Sequence, residues 1–458
     1  MGEYLPPPYG ILQLAAFLEK QNEHLDIKVI DCNAEGLDWQ QLEKRIESFD
    51  PNIVASSALA TCNTYVALRT LEIAKKVNPE ILTVVGGQHF TVLAQESLET
   101  YPEIDVIVRG EGEETLVELV KVWEKNNSLS SVDGISFRKN GKFYHNGNRS
   151  FIEDLNDLPF PGYHFVEDLV NKYHFKGMAG SARYALIEGS RGCPHNCVFC
   201  TQWRHWGTKW RQKSAKRIAE EFEFCYEKYG SRFLWLTDDN FGLGKRASEL
   251  ADELIQRGFS DDIMWFMQVR CDDVVNRASV LPKMRKSGLR WFLLGVESHS
   301  SNTLDSFQKG TTPEDSRKAV KILKDNDIFS QGMFIIGQRQ DTSKSMADLR
   351  EFVNILDPDL AIFAILTPFP GTKVFEEAKH NGWIEDWNWA HYDMVHAVMS
   401  TENLSAKEVQ EELYNCYKSY FGSWSRRVGS IFSRKALKRK LYRYMATQGI
   451  VNQVKSLF

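Results

Sequence analysis

The sequence predicts an α/β protein in three parts: a doubly wound parallel sheet, a partial (β/α)6 barrel and a small helical C-terminal region. Three observations predict it. Short apolar strands alternate with helical periods through residues 11–123. Six more strand units follow between residues 183 and 385, most with a helix behind them, and helical periods dominate beyond them. Such alternation builds parallel sheets covered on both faces, because each return to the same edge needs a crossover helix.

Bulk quantities fit this plan. A chain of 458 residues exceeds one ordinary core, so two or three domains are expected. They divide as residues 1–130, a connector over 131–180, the barrel over 181–385 and the helical region over 386–458. Apolar residues make up 43% and charged residues 26%, the composition of a soluble globular protein. A net charge of -5 argues against nucleic acid as a partner of the whole chain. No charged-then-apolar leader opens the chain, and no apolar run reaches a membrane span of about 20 residues. The expected compartment is the cytoplasm.

In the first unit, Pro6-Pro7-Pro8 bars an earlier helix start, and apolar residues of 11–18 then recur on a helical period. Ile27-Lys28-Val29-Ile30-Asp31 is expected as a short strand, 39–49 as a helix and 53–57 as a buried strand. A helix over 64–77 and a strand over 81–87 follow, then Val106-Ile107-Val108 and a helix over 115–123. Ligands of such sheets sit beyond the carboxyl ends of the strands, where Asp31, Ser56, Gly86, Gly87, Gly110 and Glu111 fall. Glycines there let the backbone approach a bulky ligand, though tight turns alone would also explain each one.

The connector holds the turn formers Asp133-Gly134, Asn140-Gly141 and Asn146-Gly147 between short strand-like pieces. Leu158-Pro159-Phe160-Pro161 is an extended linker. Barrel strands are expected over residues 183–188, 233–240, 264–270, 291–297, 331–337 and 360–366. Helices are expected over 213–229, 246–257, 279–286 and 313–326. Asp238, Asp239, Arg270 and Glu297 stand at strand ends, where barrels keep their chemistry.

Directly after the first barrel strand comes Ser190-Arg191-Gly192-Cys193-Pro194-His195-Asn196-Cys197-Val198-Phe199-Cys200. Three thiols crowd into eight residues, separated by three residues and then two. In a secreted chain this is part of a disulfide framework; in a reducing cytosol it is a metal or cluster site. Cys32, Cys62, Cys225, Cys271 and Cys416 are scattered singly, as small buried hydrophobes are. Three thiols fall one short of the four that close a structural zinc or a simple iron–sulfur centre. A [4Fe-4S] cube held by three would keep one iron open for a ligand that is not protein.

Near the C-terminus, Trp383, Trp387, Trp389, His391, Tyr392 and His396 crowd together as a pocket lining or as packing against the barrel. An amphipathic helix follows over 406–423. From Leu413 onward there are ten Lys or Arg and no acidic residue. Residues 434–443 interleave basic side chains with Leu and Tyr. This suits a membrane surface or an acidic partner, or a helix packed on the acidic remainder of the chain.

Tyr4-Leu5-Pro6-Pro7-Pro8-Tyr9-Gly10, Gly86-Gly87-Gln88-His89-Phe90-Thr91 and Asp105-Val106-Ile107-Val108-Arg109-Gly110-Glu111-Gly112-Glu113 resemble a known domain. It is the cobalamin-binding domain in front of many radical S-adenosylmethionine (SAM) enzymes. The resemblance covers residues 1–125. It implies a flavodoxin-like fold and a cobalamin held by Asn33, Ser56, Ser57, Gly86, Gly87, Gly110 and Glu111. Two features depart from the family. Its usual strand before the Pro-rich turn is missing. Asp31-Cys32-Asn33-Ala34-Glu35-Gly36 also carries Asn33 where other cobalamin proteins place an axial His, so no protein imidazole is expected from this segment.

The Cys loop, with Phe199 before its last Cys, resembles the radical SAM signature, and that resemblance spans residues 180–385. It implies that Cys193, Cys197 and Cys200 hold a [4Fe-4S] cluster whose open iron binds SAM. Phe199 would pack near the adenine, and Asp238, Asp239, Arg270, Glu297 and Gln338 would contact SAM. The combined plan resembles the group around the anaerobic magnesium-protoporphyrin monomethyl ester oxidative cyclase, which also holds C-methyltransferases. That implies methylation of an unactivated carbon, with one SAM as methyl donor and another as source of a 5′-deoxyadenosyl radical. Oxidative cyclisation or rearrangement without methyl transfer is the alternative, and a non-catalytic cobalamin or redox sensor is a third. The implied partners are a small-molecule or protein-residue substrate and an electron donor such as ferredoxin or flavodoxin, in reducing surroundings.

Overall fold

The structure, a computed structural model, describes residues 4–455. Residues 1–3 and 456–458, the outer ends of the expected first domain and basic tail, lie outside the described residues. The chain begins with β1 (Tyr4–Leu5), and α1 (Tyr9–Gln21) starts directly after Pro8. Asp31 caps the one-turn α2 (Cys32–Glu35), its carboxylate accepting from the Ala34 N–H at 3.0 Å. A reciprocal capping box of Asp38 and Gln41 opens α3 (Trp39–Phe49). Then come β2 (Ile53–Ser57), α4 (Thr64–Val77), β3 (Leu82–Gly86), α5 (Gln88–Val92), α6 (Ala94–Thr100), β4 (Val106–Val108) and α7 (Glu113–Glu124).

The hairpin β5 (Ile135–Lys139) and β6 (Lys142–His145) turns at Asn140-Gly141, both with positive φ. This is the two-residue turn that the sequence pair favours. The sheet order is β2-β3-β4-β5-β6, parallel through β4 and antiparallel after it. The connector's hairpin is therefore hydrogen-bonded into the first sheet. The strand expected over residues 27–31 does not form. The sheet ends at β2, and among the described residues no further strand offers those backbone groups a ladder. β1 pairs instead with β7 (His174–Phe175), antiparallel.

After the one-turn α8 (Lys176–Ala179), the second unit starts with β8 (Tyr184–Ile187), β9 (Ser190–Arg191), α9 (Gln202–Trp206) and β10 (Arg211–Gln212). It continues with α10 (Ala215–Tyr229), β11 (Phe233–Leu236), α11 (Lys245–Gln256), β12 (Met264–Arg270), α12 (Cys271–Asn276) and α13 (Leu281–Lys286). It closes with β13 (Leu289–Glu297), α14 (Ser301–Ser306), α15 (Pro313–Asp325), β14 (Phe329–Ile336), α16 (Ser343–Leu356) and β15 (Leu360–Ile365). Six parallel strands lie in the order β8-β11-β12-β13-β14-β15, the sequential order of an open barrel. Aromatic packing fills the strands: the rings of Phe266 and Trp291 stack 4.1 Å apart, both fully buried.

Four helices complete the chain: α17 (Lys373–His380), α18 (Ala406–Gly422), α19 (Trp424–Ile431) and α20 (Ala436–Lys455). α18 lies along β15, with the Tyr417 hydroxyl donating to the Phe363 carbonyl at 3.0 Å. The basic tail is docked by Asp359, which pairs with Lys435 at 2.7 Å and Lys438 at 3.4 Å. No described helix is long and apolar enough to cross a membrane.

A buried charge network clasps the two units. Arg191 of β9 reaches Glu113 at 2.6 Å, Glu188 at 3.0 Å and Glu111 at 3.2 Å, while Arg211 of β10 meets Glu111 at 2.6 Å. Buried charges persist only when paired in this way.

Candidate active site

The Cys loop is closed at its base by the pairing of β9 with β10. Gly192 makes the first bend with φ +87, and a Cβ there would stand 2.3 Å from the Lys209 carbonyl oxygen. Only glycine fits. The loop then rests on the segment after α14. The Val198 N–H donates to the Phe307 carbonyl at 3.1 Å, the Cys197 Sγ approaches the Gln308 carbonyl at 3.9 Å, and the Phe199 ring packs edge-on to Phe307 at 4.9 Å.

All three loop cysteines are free thiols. Burial pushes the Cys200 thiol up to about 12 and raises those of Cys193 and Cys197. At Cys197 this is opposed first by Lys309 and then by Arg270, whose positive charges favour the thiolate. Among the described residues no three His, Cys, Asp or Glu side chains converge as a single metal ion requires. Three thiols holding the corners of a cube need no common point, and a loop of three free thiols beside two cations suits a cluster better than a lone ion.

The barrel strands bring their polar ends around this loop. Asp238 is buried and accepts from the Gly189 N–H at 2.6 Å and from the Ser190 hydroxyl, so it braces the loop's entry. Burial lifts its carboxyl to about 6 despite Arg246, 3.8 Å away. Asp239 is lifted to about 7, by burial and then by Asp238 and Glu188, and its charge is felt at Cys193 and Cys200. Of the adjacent pair, Asp238 is taken up by Gly189 and Ser190, and the charge that raises the Cys193 and Cys200 thiols is that of Asp239. Arg270 holds Asp272 at 3.0 Å and the Lys309 carbonyl at 2.7 Å. Glu297 has φ +62 where the β13–β14 register slips, and it accepts from the Lys309 ammonium at 2.6 Å. Gln338 donates through its side chain to the Ser306 hydroxyl at 2.5 Å.

The first sheet adds a second row of strand ends. Ser57 is in register with Gly86, and Ser56 with Val85. Gly87 has φ +97, and a Cβ there would fall 2.4 Å from the Ala58 carbonyl oxygen. Gly110 has φ +69 and open space where a side chain would stand. Small residues, a sharp turn and this opening fit a bulky flat cofactor across the strand ends. Glu111 is not brought to this row: one oxygen accepts from Arg191 and Arg211 and the other from the Ile152 N–H at 2.7 Å. Asn33 is exposed on α2, outside the sheet's ladder.

The two rows are joined directly. Thr201, next to Cys200, donates to the Gln88 side-chain oxygen at 2.8 Å, and the Gln88 amide donates to Gln202 at 2.7 Å. His89 is buried beside them and meets the Trp389 ring edge-on at 5.0 Å, so the aromatic C-terminal segment covers the junction. Lys309, Gln88, Thr201 and Gln202 escaped the sequence reading. Each is one polar residue without a spacing pattern, Lys309 and Thr201 in loops and Gln88 and Gln202 at helix starts, and only the Gly-Gly before Gln88 gave a signal.

Two family models match the chain: B12 binding domain over residues 2–120 and Radical SAM superfamily over residues 187–353. The uncharacterized methyltransferase PH0819 of Pyrococcus horikoshii is 33% identical over 416 residues, covering 91% of this chain and 88% of that protein. The anaerobic magnesium-protoporphyrin IX monomethyl ester cyclase of Cereibacter sphaeroides is 31% identical over 419 residues, covering 91% and 67%. Among solved structures, the cobalamin-dependent SAM radical enzyme OxsB with aqua-cobalamin and SAM bound superposes with a TM-score of 0.76 at 18% identity, over 97% of this chain and 69% of that one. The methyltransferase TsrM from Kitasatospora setae, with cobalamin and a [4Fe-4S] cluster bound, gives 0.67 at 16% identity, over 83% and 76%. These two structures speak to the fold.

Proposed function

The chain belongs to the cobalamin-binding radical SAM enzymes, and from that premise we propose that it methylates an unactivated carbon. Its cofactors are a [4Fe-4S] cluster, SAM and cobalamin. Together they supply reductive cleavage of SAM to a carbon-centred radical and a transferable methyl group. Cys193, Cys197 and Cys200 would hold the cluster, with Asp239, Arg270 and Glu297 around the bound SAM. Gly86, Gly87 and Gly110, with Ser56 and Ser57, would carry the cobalamin.

The chain's own part is positioning. Lys309 and Arg270 offset the thiolate charge next to Cys197. Gly87 and Gly110 keep side chains off the cofactor face. The observation that carries the reading is the Thr201–Gln88–Gln202 hydrogen-bond relay, which ties the Cys loop to the glycine turn of the other unit. A methyl donor and a radical source must meet over one carbon, and this relay sets their two cradles side by side. Trp389, half-buried, packs on His89 at 5.0 Å and on the buried Tyr392 at 4.8 Å beside the junction.

Anaerobic reconstitution with reductant, cobalamin, SAM and candidate substrates tests the proposal. The expected products are S-adenosylhomocysteine and 5′-deoxyadenosine together, with a substrate heavier by one methylene unit. Cys197→Ala should abolish the deoxyadenosine. The relatives named as cyclases favour a second reading, oxidative cyclisation. Deoxyadenosine without S-adenosylhomocysteine would select it.

A further inference from the structure

We propose that the C-terminal corner of the molecule docks on an anionic phospholipid bilayer. α19 is amphipathic in the sense opposite to that of a helix facing water. Its inner face is polar: Arg426 lies over the Tyr420 ring at 3.8 Å and pairs with Asp357 at 3.2 Å, and Ser430 is buried. Its outer face carries Trp424 and Val428, continued by Phe432, at intervals of four residues. Trp424 is 78% exposed and Phe432 72%. Ile355 of α16, 68% exposed, adjoins Asn354, whose carbonyl the Arg426 guanidinium reaches at 3.5 Å. These side chains protrude into solvent, which suits insertion between headgroups.

Charge selects the kind of surface. From Leu413 onward the chain has ten Lys or Arg and no acidic residue. Immediately beyond Phe432 opens a cavity of about 580 Å³, lined by Lys324, Ser433, Arg434, Lys435 and Lys438, with the carboxylates of Asp359 and of Asp327, the latter paired with Arg285 at 2.7 Å. Asp359 compensates Lys435 and Lys438, whereas Lys324 and Arg434 have no acidic partner among the described residues. A cationic recess beside exposed aromatic prongs matches a phosphate headgroup beside acyl chains. Lys324 precedes β14 and Asp359 precedes β15, so this corner lies at the amino ends of the strands. The Cys loop is at the opposite end, and docking leaves its cleft open.

Flotation of the full chain with vesicles tests the surface. Vesicles of phosphatidylcholine with phosphatidylglycerol should carry the protein, and phosphatidylcholine alone should not. Binding should collapse near about 1 M salt, where charges are screened beyond about 3 Å. Trp424→Ser with Phe432→Ser, and separately Arg434→Glu, should each lower partitioning about tenfold or more, with far-UV circular dichroism and SAM cleavage unchanged. Equal binding to neutral vesicles, or none to either, overturns the proposal. A concentration-dependent dimer without lipid that Trp424→Ser and Phe432→Ser dissolve would assign the face to a second copy and overturn it as well.

Discussion

At the scale of single residues, Lys309 and Glu297 form a buried pair, each side chain about nine-tenths covered. Burial alone would lower the Lys309 pKa, but the Glu297 and Cys197 charges and the Glu297 hydrogen bond together more than offset it, and the net direction is up. Gly295 makes room for the pair, since a Cβ there would lie 2.5 Å from the Lys309 Nζ. Glu297 holds an unfavourable left-handed backbone in the same place, the kind of strain found where a site must be aimed. Lys309→Met should therefore cost about 3 kcal/mol in urea denaturation, because it strands a buried carboxylate. Adding Glu297→Leu should restore part of that loss, and a double-mutant cycle measures the coupling. Glu297 was legible as a strand end. Its partner twelve residues later was not, because a lone Lys carries no pattern.

At the scale of elements, α5 links stability to pH. His89 is buried there, its Nδ1 finds no hydrogen-bond partner among the described residues, and burial pushes its pKa down to about 4. In the unfolded chain an ordinary His takes a proton near pH 6.5. The neutral folded form therefore contributes its full stability above about pH 6.5 and loses it progressively as pH falls towards about 4. Of order 3 kcal/mol is at stake for a shift of this size. Asp238 and Asp239, lifted to about 6 and about 7, take up protons in the folded state over the same range and oppose the loss, so the urea midpoint of the unsubstituted chain should drop relative to that of His89→Phe as pH goes from about 6.5 to about 4. A residual slope is expected from His205, which burial also holds at about 4.

At the scale of the whole molecule, the clasp of Arg191 and Arg211 with Glu111 and Glu113 couples the two units. Arg191→Ala would leave Glu113 buried and Glu188 part-buried without their cation, a loss of about 3–5 kcal/mol. Calorimetry should then resolve two unfolding transitions where the intact chain shows one cooperative event. Limited proteolysis within residues 131–180 should accelerate in parallel. Unchanged calorimetry would mean that the Gln88 relay and the aromatic cover alone hold the units together.

Periodicity alone determined the strand–helix order, because burying one face of each element imposes a period of two or 3.6 that survives in the residue order. The Cys spacing was legible as well, since three thiols on one short loop are contiguous in sequence. Periodicity misjudged residues 27–31, which are apolar enough for a strand but have no neighbour to pair with, and pairing is a property of the sheet. The resemblance to the cobalamin-binding domain implied Asn33 as a cofactor contact, and a strand-end position together with it implied Glu111. Tertiary structure decided that Glu111 belongs to the clasp, that Asp238 braces the loop while the charge of Asp239 raises the thiols, and that Gln88 meets Thr201 across 113 positions of chain. Those outcomes depend on which surfaces meet when two sheets pack, and no local pattern encodes a meeting between distant surfaces.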